Sequence, residues 1–393
     1  MKKFTKLAIA TAVSLTLAGA MSTVNAETRG VTDTEIRIGS STDLSGIFAA
    51  FGAPSAKAAQ MYFDEVNAKG GIHGRKIKFI VEDHAYSLPK STQAINKLVN
   101  RDKVFVMFLG VGTPMNVASF KLLDAKKIPN VFPLSGARQM LQEPIKYKFS
   151  GAAPYYNHIT EGVKYLVKKN GRKVICTMYL PSDFGKEIQL AAKAQAKALG
   201  LKYGGETTHK GDDADFVGSL SKLKAAGCDI VTMALGVRQV ITAFATSKKM
   251  KWTNVDFINS SAGFHTVMAK VPGGITEGLY AGASWGDLLA RVKDPVVGAW
   301  FKKYTTATGK KLPGTGAMLG RSGAEQIVRA LEAAGKDLTT DSFVKAMESL
   351  DYEDKISGNH ADFSATDHQG ADEVIISVIK DGNWQEVFRT EDK

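Results

Sequence analysis

The sequence predicts an α/β protein made of two doubly wound parallel-sheet lobes. Two observations carry this. Short, nearly continuous apolar runs alternate with segments of helical period, the signature of parallel strands covered on both faces. The alternation then restarts near residue 159, after a first block spanning about residues 35–134. No low-complexity linker divides the two blocks, so the chain is free to cross between them more than once.

The elements of the first block follow in order. Residues 35–41 alternate in polarity and end in Ser/Thr, which predicts a strand. Residues 53–68 place Ala56, Ala59, Met61, Phe63 and Val66 around a helix that Gly70-Gly71 closes. A β-rich run at 76–82 precedes a helix at 90–100 with Ala94, Ile95, Leu98 and Val99 on one side. Residues 104–109 form a continuous apolar strand, 114–126 a helix and 130–134 the next strand. In the second block, helices at 159–169, 185–199, 214–226 and 238–248 alternate with strands at 173–180, 203–208, 230–235 and 257–259. Helices return at 294–308 and 320–334, and 372–389 reads as a β-hairpin turning at Asp381-Gly382.

The N-terminus has a basic start, an apolar run from Leu7 to Met21 and a Val24-Asn25-Ala26 exit, which predicts a signal peptide cut after Ala26. The apolar run is short for a membrane span, and no Cys near the cut offers a lipid anchor. The expected location is the periplasm. Loss of Lys2, Lys3 and Lys6 lowers the formal charge from +12 to +9. The remaining Lys and Arg are scattered, which argues against nucleic acid and allows a mild attraction for anions.

Cys176 and Cys228 are the only cysteines, too few for a disulfide framework; Cys176 lies inside an apolar strand-like run and Cys228 immediately precedes another. They read as buried free thiols, with a single bridge as the alternative. The seven histidines lack metal-ligand spacing, so no metal or cofactor is expected.

Doubly wound sheets bind ligands at the carboxyl ends of their strands. In the first block this selects 45–52, Gly110-Val111-Gly112-Thr113-Pro114 and Leu134-Ser135-Gly136-Ala137. The second loop enters a helix at Pro114, and its amides with the Thr113 hydroxyl suit a carboxylate. Ser135 and Gly136 add donors. Simple capping of the helix by Thr113 is the competing reading. Met115 stands where a dinucleotide fingerprint needs its third glycine, and no Walker A sequence exists. Gly282-Ala283-Ser284-Trp285-Gly286 matches a nucleophile elbow, so a secreted serine hydrolase using Ser284 with His360 or His368 is an alternative of another class.

Further wording extends across the chain: Ile36-Arg37-Ile38-Gly39, Leu44-Ser45-Gly46, Asn67 through Lys76, Val131 through Ala137, Tyr179 through Gly185, Asp215-Phe216, Phe363 through Gly370 and Lys380 through Trp384. Together these segments resemble the periplasmic solute-binding proteins of ABC importers, in the leucine/isoleucine/valine-binding branch. The resemblance implies a type I periplasmic binding fold: two lobes joined by a three-crossover hinge that close over a ligand. It implies residues 27–152 with about 284–356 in one lobe, and 153–283 with about 357–393 in the other. A monomer delivering a small-molecule carboxylate to an ABC permease is the implied partner arrangement, with no catalysis.

Carried over by position, the carboxylate clamp would be Gly112, Thr113, Ser135 and Gly136. Phe51 falls where a family aromatic covers the ligand, and Phe184, Val237 and Ser261 where the second lobe meets it. The sequence departs from amino-acid binders at two places. Phe184 lacks the expected tyrosine hydroxyl, and Ser260-Ser261-Ala262-Gly263 offers no acid for an ammonium. An unpaired buried ammonium costs about 3–5 kcal/mol. Phe48, Phe51, Phe184 and Tyr86, with Tyr156 and Phe264, are expected to line an apolar cleft, core packing being the alternative for each. Asp83-His84-Ala85-Tyr86 and Gly112-Thr113-Pro114 resemble a subgroup that takes aromatic carboxylic acids, and Arg238 is expected near the cleft to complement a second acid or phenol. The same receptor role for branched-chain or other hydrophobic amino acids is the alternative ligand reading.

Overall fold

The computed structural model of the protein describes residues 28–390. The expected signal peptide therefore lies outside the described residues. The first half runs β1 (Glu35–Thr42), α1 (Ala49–Ala68), β2 (Lys76–Asp83), α2 (Leu88–Asn96), β3 (Val106–Phe108), α3 (Thr113–Ala125), β4 (Asn130–Val131) and β5 (Lys148–Phe149). The second runs α4 (Tyr155–Asn170), β6 (Val174–Tyr179), α5 (Asp183–Ala198), β7 (Lys202–Thr208), α6 (Val217–Ala225), β8 (Ile230–Ala234), α7 (Val237–Lys249), β9 (Asp256–Asn259), α8 (Thr266–Ala269) and β10 (Tyr280–Ala283). Then follow α9 (Pro295–Thr308), α10 (Thr315–Ala334), α11 (Thr340–Met347), β11 (Asp351–Asp354), β12 (Asn359–Asp362), β13 (Ile375–Lys380) and β14 (Asn383–Arg389).

The first sheet has order β2-β1-β3-β4-β5, with every pair parallel. The second has order β14-β13-β10-β9-β8-β6-β7. Its segment β7-β6-β8-β9-β10 repeats the order of the first sheet, and the β13–β14 hairpin adds an antiparallel edge. β3 and β8 are buried along their whole length, as strands of a parallel sheet covered on both faces must be.

The chain passes from the first sheet to the second after β5, returns after β10, and crosses again before β13. The returning segment builds the first lobe's outer wall. α10 lies against α1 so closely that a Cβ at Gly320 would stand 2.1 Å from the Ser55 carbonyl oxygen. Residues 357–370 stay with this wall: Ala361 and Phe363 pack in the core around Phe108, Phe132 and Phe149, and Gln369 bridges to Ser150.

Three local expectations are corrected. The strand expected at 130–134 stops at Val131, because Phe132 takes a positive φ of 51° and Pro133 has no N–H to extend the ladder. The α11 helix and the β11–β12 hairpin were not expected; α11 opens on a Thr339–Ser342 capping box, a weaker sequence signal than one closed by Glu or Gln. The cysteines are not free thiols. Cys176 on β6 and Cys228 just before β8 form a disulfide, with Cα atoms 5.8 Å apart. Parallel pairing of β6 with β8 brings them together, and Gly204 leaves room, since a Cβ there would lie 2.8 Å from the Cys176 sulfur.

Candidate functional site

The order 2-1-3-4-5 has its topological switch point between strands 1 and 3, where ligands enter such sheets. Here that point lies between the loops after β1 and β3. Asp43 organises the first: its carboxylate accepts the Gly46 N–H at 2.5 Å and the Phe48 N–H at 2.9 Å. The loop after β2 is braced by His84. Its Nε2 donates to the Val111 carbonyl at 3.1 Å, while Nδ1 accepts the Tyr86 N–H at 3.0 Å. These two partners select the neutral tautomer, and burial holds the His84 pKa below its ordinary value. Tyr86 is thereby fixed with a positive φ of 54° over Gly112.

The loop after β3 enters α3. Gly112 caps the helix with φ 99°, and a Cβ there would meet the Tyr86 ring at 2.9 Å. Its own N–H is spent on the Leu134 carbonyl at 3.3 Å. Thr113 is the first helical residue, so its N–H belongs to the open helix terminus. Its hydroxyl makes no cap, against the competing expectation. It instead meets the Ser135 hydroxyl at 2.8 Å, deep in the fold. Tyr155, at the start of α4, completes the group. Burial pushes its pKa up to about 12, and hydrogen bonding to the Gly136 amide and the Ser135 hydroxyl holds it back from rising further. Two hydroxyls thus meet beside a helix terminus, and Tyr155 borders the same cavity.

They line a cavity of about 940 Å³, part of it open to solvent. Phe48, Phe51, Tyr86, Gly112, Thr113, Ser135, Gly136, Phe184 and Ser261 all border it. Phe184 from the second lobe packs edge-on against Phe48 at 5.6 Å and against Tyr155 at 5.5 Å. Among the described residues, no Asp, Glu, Lys, Arg or His belongs to the lining. The cavity also borders residues that were not anticipated: Tyr155, Trp285, Phe132, Leu319 and Gln326. Tyr155 is adjacent to the expected Tyr156, and only the register of α4 chooses between them.

Four expectations fail here. Val237 and Arg238 begin α7 outside the lining, with Arg238 exposed to solvent. Tyr156 instead carries the Arg138 guanidinium 3.9 Å above its ring, and Phe264 stacks on Trp384 at 4.7 Å.

The two lobes touch across the cleft. Arg138 of the first lobe grips Glu187 of the second, with Nε 2.7 Å and Nη2 3.3 Å from the two carboxylate oxygens. His265 of the second lobe donates through Nε2 to the Ala50 carbonyl of the first at 3.1 Å.

Ser284 does not form a nucleophile elbow. It follows β10, but a bend and irregular chain come next, with only the three-residue 3-10 segment Leu289–Arg291 beyond and no α-helix following directly on the serine. Its Oγ is fully buried and accepts the Ala153 N–H at 3.0 Å. Neither expected histidine reaches it: His360 pairs with Asp351 and Glu353 on the surface, and His368 stacks on Phe149. His158 stands 3.3 Å away, but burial pushes its pKa down to about 3 and its Nδ1 has no partner to orient it.

A family model described as periplasmic binding protein matches residues 35–383. The chain belongs to this family. Its sheet topology, with two parallel-sheet lobes, is the type I periplasmic binding fold. An amino acid binding protein of Pseudomonas aeruginosa is 24% identical over 200 residues, 50% of this chain and 53% of that protein. The chain thus spans about half the length of the first curated relatives it matches. Among solved structures, a fatty acid ABC transporter substrate-binding protein from Thermomonospora curvata has a TM-score of 0.82 at 24% identity, covering 92% of this chain and 93% of the other. A branched-chain amino acid ABC transporter protein from Thermus thermophilus with bound valine gives 0.82 at 19%, covering 91% and 96%. An R. palustris solute-binding protein in complex with benzoate gives 0.78 at 18%, covering 90% and 96%. At these identities the likeness establishes the fold alone. Among the described residues, no helix is long and apolar enough to cross a membrane.

Proposed function

We propose that this chain is the periplasmic receptor of an ABC importer, capturing a small apolar or aromatic carboxylate between its lobes and delivering it to the permease. One observation carries the ligand class: the Thr113 and Ser135 hydroxyls meet at the open end of α3, in a cavity that Tyr155 also borders and whose lining, among the described residues, has no charged side chain. A helix N-terminus and hydroxyl donors favour an anion. An α-amino acid would bring an ammonium into the same space with no carboxylate to meet it, at a cost of about 3–5 kcal/mol. Phe48, Phe51, Tyr86 and Phe184 would enclose the apolar body of the ligand. The solved relatives that carry benzoate or are named for fatty acids lend this reading support, and the valine-bound one marks the alternative. The receptor needs no chemistry of its own; closure of the lobes about the three crossings holds the solute.

The test is a thermal-shift screen on unfolded and refolded protein, comparing benzoates, phenylpropanoates and medium-chain fatty acids with leucine, isoleucine and valine. Stabilisation by acids and not by amino acids is expected. Stabilisation by the amino acids alone would overturn the ligand class.

A further inference from the structure

The lysines that look scattered along the sequence are gathered by the fold. In the second lobe β6, β7, β8 and β9 run parallel, so the four helix–strand turns that precede them all lie at the sheet edge opposite the cavity. Residues 168–173 bring four cations to that edge, 197–202 two, 222–229 two and 248–256 three. Ten of these eleven are lysines, and all ten are exposed. The turns adjoin one another. The Lys202 N–H donates to the Lys173 carbonyl at 3.2 Å, the Asp256 N–H donates to the Asp229 carbonyl at 2.9 Å, and Lys224 Nζ donates to the Met250 carbonyl at 3.2 Å. The two acids of these turns are spent inward. Asp229 accepts the Lys173 N–H at 2.8 Å and the Val174 N–H at 2.7 Å, and Asp256 accepts from Arg172 Nε at 2.6 Å and Asn170 Nδ2 at 2.8 Å. At the rim, the Glu277 carboxylate accepts the Asp381 and Gly382 N–H groups, and Lys380 precedes the exposed Asp381. The matching end of the first sheet is basic too, but the chain from α10 to α11 lies across it with Glu332, Asp337 and Asp341 exposed. There Arg75 donates to the Lys336 carbonyl at 2.8 Å, and Lys146 pairs with Asp341 at 2.9 Å.

Cations at helix C-termini offset the helix dipole, which accounts for the lysines in the last helical turns. It does not account for Lys173, Lys202 and Lys251, which lie beyond the helix ends. Crowding like charges costs repulsion, which an anionic partner relieves. We propose that this pole of the second lobe is a docking surface for an anionic lipid bilayer. Its free cations are lysines, since Arg172 is committed to Asp256. Ammonium groups on flexible stems suit a fluid layer of head-group charges and not a fixed phosphate pocket. Leu199, an exposed apolar side chain on the 197–202 turn, suits the interface beneath those head groups. Phe184 and Ser261 of this lobe reach the cavity from the opposite edge of the sheet, so docking leaves the cleft open to solute and free to close. Docking does not depend on which solute the cleft takes.

Vesicle sedimentation of the exported, processed protein tests this, with vesicles of mixed phosphatidylglycerol and phosphatidylcholine beside phosphatidylcholine alone. The protein is expected to bind the anionic vesicles at low ionic strength and to leave them at about 0.5 M salt, where charges are screened within a few ångströms. The variant carrying Lys173→Gln, Lys197→Gln, Lys202→Gln and Lys251→Gln should partition about ten-fold less or weaker still. The same charge loss at the first lobe's end, by Lys69→Gln, Lys103→Gln, Lys126→Gln and Lys127→Gln, should change partitioning by less than about three-fold. Circular dichroism melts confirm that both variants fold. Lysine acetylation footprinting gives a readout without substitution: anionic vesicles should protect the four lysines of the second lobe and not the four of the first. No binding to anionic vesicles, equal loss in the two variants, or protection shared by both lobes would overturn the proposal. Retention by lipopolysaccharide or peptidoglycan without binding to the vesicles would overturn it as well, by assigning the surface to a polymer.

Discussion

Replacing Thr113 by Val probes the clamp at its centre. Valine keeps the shape at a site only 1% exposed, so packing is little disturbed. What goes is one hydroxyl, 2.8 Å from the Ser135 hydroxyl. Without ligand the loss is one neutral hydrogen bond, about 1 kcal/mol of stability. With a carboxylate bound the loss is a charge-assisted hydrogen bond, about 1.5–3 kcal/mol. That corresponds to roughly a 10- to 100-fold rise in Kd, at about 1.4 kcal/mol per decade. Ser135→Ala is expected to act on the same scale. Because the two hydroxyls touch, the double variant should lose less than the sum of the singles. Isothermal titration with the best acid from the screen measures all three, and circular dichroism melts confirm folding. A double variant that binds the acid as tightly as the parent would refute the clamp.

Other consequences follow from the same geometry. Arg138→Ala removes the inter-lobe grip on Glu187; since Arg138 is about half exposed and screened, the effect is put at about 1 kcal/mol, read as several-fold faster ligand release in stopped-flow. His158 and His265 are buried neutral, with pKa values pushed by burial to about 3 and about 4. Their contribution is therefore complete above the unfolded value of about 6.5 and is lost as pH falls toward the folded values. At pH 5 each should cost about 2 kcal/mol, so urea midpoints should drop between pH 7 and pH 5, and a flat profile would contradict their burial. The Cys176–Cys228 bridge closes a loop of sequence separation 52, worth about 4 kcal/mol in the chain-entropy account. Urea melts with and without reductant should differ by that order, and thiol titration of the unreduced, unfolded protein should find no free thiol.

Much of the architecture is legible in local pattern. The apolar strands at β3 and β8 are readable because strands buried on both faces carry no polar alternation. The β13–β14 hairpin is readable because Asp381-Gly382 supplies the turn. Thr113 and Ser135 are readable as candidate site residues because strand ends in a doubly wound sheet border its ligand crevice. Arg238 misled, because position at the start of α7 says which end of the sheet a residue occupies, not which way its side chain leaves the helix. Tyr155 was missed for the same reason, one residue from Tyr156. The Cys176–Cys228 bridge is readable only as an alternative to free thiols, since it depends on β6 pairing with β8 across an intervening strand and two helices.

The sequence by itself determined the alternation of strands and helices, the doubling of the unit, and the small, hydroxyl-rich loops at the strand ends, because these rest on period and on residue chemistry within a few positions. Only the tertiary structure decided that the cavity lining carries no charge, that α10 and Trp285 close its far wall, and that the lobes grip each other through Arg138 and Glu187. Those properties belong to residues far apart in the chain. Their meeting is set by strand order and helix packing, which no local pattern encodes.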